Sequence, residues 1–155
     1  MPRSHAVFIA LALVAFQACD AVEPSAGVPS PDGQEFAREV YPVLLRDCGS
    51  TTACHGASQR PFRVVGPGRA RLSPQQEPLD PATPQEILES YKRARAMLEP
   101  DSADLPLLLR KPLDDGGVRH GGRDAFGRNV YASRREPNYR ILERWAQGAA
   151  TGDER

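Results

Sequence analysis

The chain has 155 residues with 20 basic and 20 acidic side chains, so its formal net charge at pH 7 is zero. That length fits one domain with a modest core, and the balanced charge argues against a nucleic-acid binder, which would need a basic excess. With 15 Pro and 13 Gly, long loops joining short helices are expected, giving an all-α domain with Pro/Gly-rich connections.

Residues 1–18 carry Arg3, the apolar run Ala6 to Phe16, and then Gln17-Ala18 ahead of Cys19. A basic start, a short apolar stretch and a small residue before the cleavage point describe a secretory signal peptide. The run is too short to serve as a stable membrane span. Phe16-Gln17-Ala18-Cys19 is similar to the bacterial lipobox, in which the cysteine is lipidated and becomes the mature N-terminus. Ala18 and Cys19 match that pattern, whereas Phe16 and Gln17 depart from it. Lipidation of Cys19 predicts an exported protein, periplasmic or on the outer surface, held to a membrane only through that lipid. Cleavage after Ala21, releasing a soluble exported protein, is the competing outcome. Residues 19–33 are rich in Pro, Ser, Gly and Ala and read as a flexible linker.

The folded domain is expected over residues 34–149, with 150–155 as a frayed polar tail. Asp32-Gly33-Gln34-Glu35 reads as a helix start, and Phe36, Val40, Val43 and Leu44 recur at helical spacing to form one apolar face. Pro42 lacks an amide donor and crowds the carbonyl of Arg38, which predicts a kink. The helix delivers the chain to Cys48-Gly-Ser-Thr-Thr-Ala-Cys54-His55-Gly56. A Cys followed directly by His, with a second Cys upstream, is a widened form of the C-x-x-C-H haem-attachment motif. In that motif two thiols add to the porphyrin vinyl groups and the neighbouring imidazole ligates the iron. The usual spacing would place the first cysteine at position 51, which is Thr51; Cys48 lies three residues earlier.

Pro61-Phe62-Arg63-Val64-Val65 is a short apolar run, either a strand or an extended segment against the core. Residues 66–84 hold five Pro and two Gly and exclude regular structure. Thr83-Pro84-Gln85-Glu86 is a capping box with Pro at the first helical position, followed by an apolar stripe of Ile87, Leu88, Tyr91, Ala94 and Leu98. That helix should end before Pro100. Asp101 to Leu113 reads as a short leucine-rich helix or turn lining the core. Gly116 to Gly122 surrounds His120 with four glycines, a backbone able to lie close to a flat ligand or to form a plain surface turn. Pro137 to Gln147 is the last helix, with Gly148 as its stop and Tyr139, Leu142 and Trp145 on one face.

The run Phe36-x3-Val40-x-Pro42-Val43-Leu44-x3-Cys48, followed by Cys54-His55-Gly56, resembles the opening of cytochrome c-like domains in exported bacterial lipoproteins. Leu107 to Leu113, His120-Gly121-Gly122, and Tyr139-x2-Leu142-x2-Trp145-x2-Gly148 are similar to the second half of those domains. The resemblance spans residues 33–149 and implies a small cytochrome c-like fold carrying one haem c. On that basis Cys54 and Cys48 are the thioether positions, the second of them questioned by the widened gap, and His55 is the proximal iron ligand. His120 is the candidate for the distal iron position. Met97, the one methionine beyond Met1, is the weaker distal candidate, since a thioether at the end of a helix is more often a core side chain.

Two axial imidazoles would leave no open position for a substrate, so electron transfer to a redox partner protein is expected, and enzymatic activity is not. No hydrolase elbow, phosphate-binding loop or H-E-x-x-H pattern is present in the sequence. The alternative is a haem-free exported structural or binding module stapled by a Cys48–Cys54 disulfide. A zinc site from Cys48, Cys54, His55 and His120 is a third possibility. It is disfavoured because adjacent residues seldom both reach one tetrahedral ion.

Overall fold

A computed structural model describes residues 30–50, 54–99, 105–113 and 129–148. Cys19, the stretch before residue 30 that the sequence reads as signal peptide and most of the linker, and the glycine-rich loop with His120 lie outside the described residues. Those that are described form four helices and no strand, apart from one isolated parallel bridge between Leu113 and Tyr131.

The first helix, α1, begins where expected. The Asp32 carboxylate accepts from the backbone N–H of Gln34 at 2.6 Å and of Glu35 at 2.8 Å, satisfying two of the donors that a helix start leaves unpaired. The helix then alternates in pitch, through Gly33–Glu35 (α), Phe36–Val40 (π), Tyr41–Val43 (α) and Leu44–Cys48 (π). Pro42 sits in the middle α turn. Where the sequence predicts a kink, the chain flanks the missing donor with wider turns, the N–H of Tyr41 reaching back to the Phe36 carbonyl. An i→i+5 turn loosens the contact that an α-helix would force between the Pro ring and the carbonyl four residues earlier. The predicted apolar face is correct: Phe36, Val40, Val43 and Leu44 are all buried.

The run from Phe62 to Val65 is extended and forms no strand. Val64 and Val65 are fully buried, and the backbone of Val65 is held from both sides. Its carbonyl accepts from the Tyr41 hydroxyl at 2.8 Å, and its N–H donates to Ser90 Oγ at 3.2 Å. Gly66 follows with φ +146°, where a Cβ would come within 2.1 Å of the Tyr41 hydroxyl oxygen. Glycine is required at this position for both reasons.

The second helix, α2, spans Pro84–Ala96, with Thr83 closing the predicted capping box. Ala94 and Leu98 are buried, and Ile87 and Tyr91 pack against the core from its edge. Leu88, expected in the same stripe, is half exposed. The positions that go fully inward are Glu86 and Ser90. Glu86 is buried because the preceding irregular stretch wraps around it: Arg71 makes two hydrogen bonds to its carboxylate, at 2.8 and 2.9 Å, and the N–H of Thr83 and of Leu72 donate to it as well. Arg71 in turn donates to the carbonyls of Glu77, Asp80 and Pro81. Residues 66–83 thus lack regular structure, as predicted, yet are organised about one ion pair. Burial opposes ionisation of Glu86, but the Arg71 guanidinium and these backbone donors outweigh it and hold the carboxyl down at about 2.

A short helix, α3 (Leu107–Arg110), buries Leu108 and Leu109. The last helix, α4 (Pro137–Gly148), buries Tyr139, Leu142 and Trp145 completely. Trp145 stacks at a tilt on Phe36 with ring centroids 5.2 Å apart, and its indole N–H donates to the Asp32 carbonyl at 3.0 Å. The last helix thereby fastens the start of the first. Tyr91 of α2 completes an aromatic cluster, 5.3 Å from Phe36 edge to face.

Candidate functional site

The cysteine turn hangs from the C-terminal end of α1. Cys48 continues the stripe of Phe36, Val40 and Leu44 at four-residue steps, so its thiol points into the core and is 8 % exposed. The last helical turn is closed by the Gly49 N–H on the Leu44 carbonyl at 2.8 Å. Arg69 reaches over from the loop after Gly66 and donates to the Leu45 carbonyl through Nη2 at 2.9 Å, a cation against the negative end of the helix. Asp47 is locked by the hydroxyl of the buried Tyr131 and by Asn138 Nδ2, each 2.9 Å from its Oδ2. Burial, and then the charge of Asp47, push the Cys48 thiol up to about 12.

The turn closes on itself when the His55 N–H donates to the Cys48 carbonyl at 3.0 Å. Residues beyond His55 are also fixed through the main chain. Val64 N–H donates to the His55 carbonyl at 2.7 Å, and Ala70 N–H donates to the Gly56 carbonyl at 3.1 Å. Cys54 is part-buried, with the Ser50 hydroxyl 3.9 Å from its sulfur.

The His55 ring has a defined setting. Its Nδ1 lies 2.8 Å from the Phe62 carbonyl oxygen, and its ring packs on that of Phe62 with centroids 4.7 Å apart. A carbonyl oxygen can only accept, so Nδ1 carries the proton and Nε2 is the basic nitrogen of the neutral ring. The peptide just before it is braced from α2, where Arg93, ion-paired with Glu89, donates to the Pro61 carbonyl at 2.8 Å. The structure therefore brings Cys48, Cys54 and His55 onto one turn, but directs the Cys48 thiol inward.

Met97 lies at the C-cap of α2 with its side chain packed against the hydrophobic core. Its carbonyl accepts from the Leu108 N–H. His120, the other distal candidate, lies outside the described residues. Among the described residues no group of three or more His, Cys, Asp and Glu is placed to hold a metal ion, and no helix is long and apolar enough to cross a membrane. Comparison with family models, curated proteins and solved structures yields no match.

Two parts of this site escape sequence reasoning. The Phe62 carbonyl is a backbone atom, and no residue type announces it. Arg69 and Arg93 act on carbonyls 24 and 32 residues away in the chain. The inward turn of Cys48 did have a signal, the unbroken four-residue step from Phe36 through Val40 and Leu44.

Proposed function

We propose that this chain is a haem c-binding electron-transfer domain of an exported, lipid-anchored protein. The observation that carries the reading is the 2.8 Å contact between His55 Nδ1 and the Phe62 carbonyl. An iron-ligating histidine needs its ligating nitrogen unprotonated and its ring held against rotation. Donation of the other ring N–H to a backbone carbonyl does both, and raises the basicity of the ligating nitrogen. Cys54, the next residue upstream, supplies a thiol for covalent attachment beside that ligand. The residues present thus fit one proximal imidazole and at least one thioether.

Bound haem would supply reversible one-electron exchange at iron. The protein's part is to hold His55 in one tautomer and orientation, using the Phe62 carbonyl, with the peptide before it braced by Arg93, and a turn fastened to α1. His120 is our distal ligand, because Met97 is spent on packing against the core. With imidazoles on both axial sides the site would have no place for a substrate, so it would exchange electrons with a redox partner protein and not catalyse a reaction. Lipidated Cys19 would tether the domain to a membrane on the exported side.

Expression with the signal intact, in a host equipped for covalent haem loading, should give Soret and α absorption bands. His55→Ala should abolish the low-spin spectrum. His120→Ala should make the iron accessible to added ligands, and Met97→Ala should not. A colourless product carrying a Cys48–Cys54 disulfide would replace this reading with a stapled, haem-free module.

A further inference from the structure

We propose that Cys54 alone makes the covalent link to haem, with the Cys48 thiol remaining in the hydrophobic core; the inference rests on the haem reading above. A two-thioether attachment needs both sulfurs on the side of the turn that faces the porphyrin. Cys48 is instead committed to the core. It is the fourth member of the inward stripe Phe36, Val40, Leu44, Cys48 and is 8 % exposed within the main core cluster.

Bringing its sulfur outward would require unwinding the last turn of α1. That would break the Gly49–Leu44 backbone bond, the grip of Tyr131 and Asn138 on Asp47, and the Arg69 bonds to the Leu45 carbonyl. Gly49 is itself boxed in, since a Cβ there would lie 3.1 Å from both Arg69 Nε and the Leu45 carbonyl oxygen. The helix end therefore has little room to rearrange. Cys54 is placed differently, part-buried beyond the turn and next to His55.

Attachment is an addition with no redox requirement. The Cys54 S–H adds across one vinyl C=C, the sulfur bonding to the carbon next to the ring and a proton going to the terminal carbon. The second vinyl group is left intact. Cys48 then serves the protein as a core side chain, which explains why it can stand outside the usual C-x-x-C-H spacing.

The test reads the loaded wild-type protein and the unloaded one. A haem with one surviving vinyl group keeps longer conjugation, so its alkaline pyridine haemochrome should show an α band to the red of a two-thioether standard. Peptide mass mapping should place haem on Cys54 only. Cys48→Ala should keep covalent haem through acid–acetone extraction, and Cys54→Ala should release it. In the unloaded folded protein, iodoacetamide should label Cys54 at least roughly tenfold faster than Cys48, with the two rates converging in urea. A band at the two-thioether position, or haem mapped to Cys48, overturns this inference and leaves the haem reading standing. A wild-type protein that loads no haem overturns both.

Discussion

Two irregular stretches of this chain are built on opposite plans. Residues 66–83 close on a buried ion pair, where Arg71 and Glu86 together gather hydrogen bonds from or to Leu72, Gln76, Glu77, Asp80, Pro81 and Thr83. Every polar group at that centre is consumed in holding the loop. The described part of the stretch from Cys48 to Phe62 is tied instead at its backbone carbonyls, which accept from backbone N–H groups, from the His55 ring and from the Arg63 and Arg93 side chains. The first loop is gathered about one side-chain pair at its centre; the second is held at carbonyls spread along its backbone.

Substitutions that break this contrast should fall in order of cost. Glu86→Gln should be the most damaging, lowering unfolding free energy by about 3 kcal/mol in urea titration, because the buried guanidinium loses its counter-charge. A loss under about 1 kcal/mol would show that the ion pair does not organise the loop. The same residue sets a pH dependence. Its folded carboxyl, near 2, lies below the ordinary value of 4.5, so its stabilisation is complete above 4.5 and drains away as pH falls towards 2. Unfolding midpoints measured across that interval should drop for the wild type and change less for Glu86→Gln.

Gly66→Ala should come next, at about 2 kcal/mol, from the positive φ combined with collision against the Tyr41 hydroxyl. Thr83→Ala should cost about 1 kcal/mol, as the loss of a helix cap does elsewhere. His55→Ala should be the mildest for folding, roughly 0.5–1 kcal/mol for one hydrogen bond and an edge of packing, while eliminating the low-spin haem spectrum. A large destabilisation by His55→Ala would erase the distinction, centring the second loop on a side chain as well.

Much of this arrangement is legible in the sequence. Asp32 and the Thr83–Glu86 box read correctly as helix starts because capping is local, a matter of residues two and three positions apart. The Tyr139, Leu142 and Trp145 face reads correctly because helical periodicity is local too. What escapes is non-local. Glu86 reads only as a member of the capping box, and its burial becomes evident once Arg71, fifteen positions upstream, is known to cover it. Leu88 was expected inside, but Ser90 takes the inner position, where its Oγ accepts from the extended backbone N–H of Val65. In the candidate site the adjacency of Cys54 and His55 is plain from the letters, whereas the carbonyl that orients the imidazole belongs to a residue chosen by the path of the chain.

The bond from the Trp145 indole to the Asp32 carbonyl has a geometric consequence. Residues 32 and 145 meet at one pole of the molecule, and the cysteine turn begins at the far end of α1, roughly 20 Å away at helical rise. The start of α1 and the last turns of α4 are therefore fastened to each other at the end of α1 away from the cysteine turn.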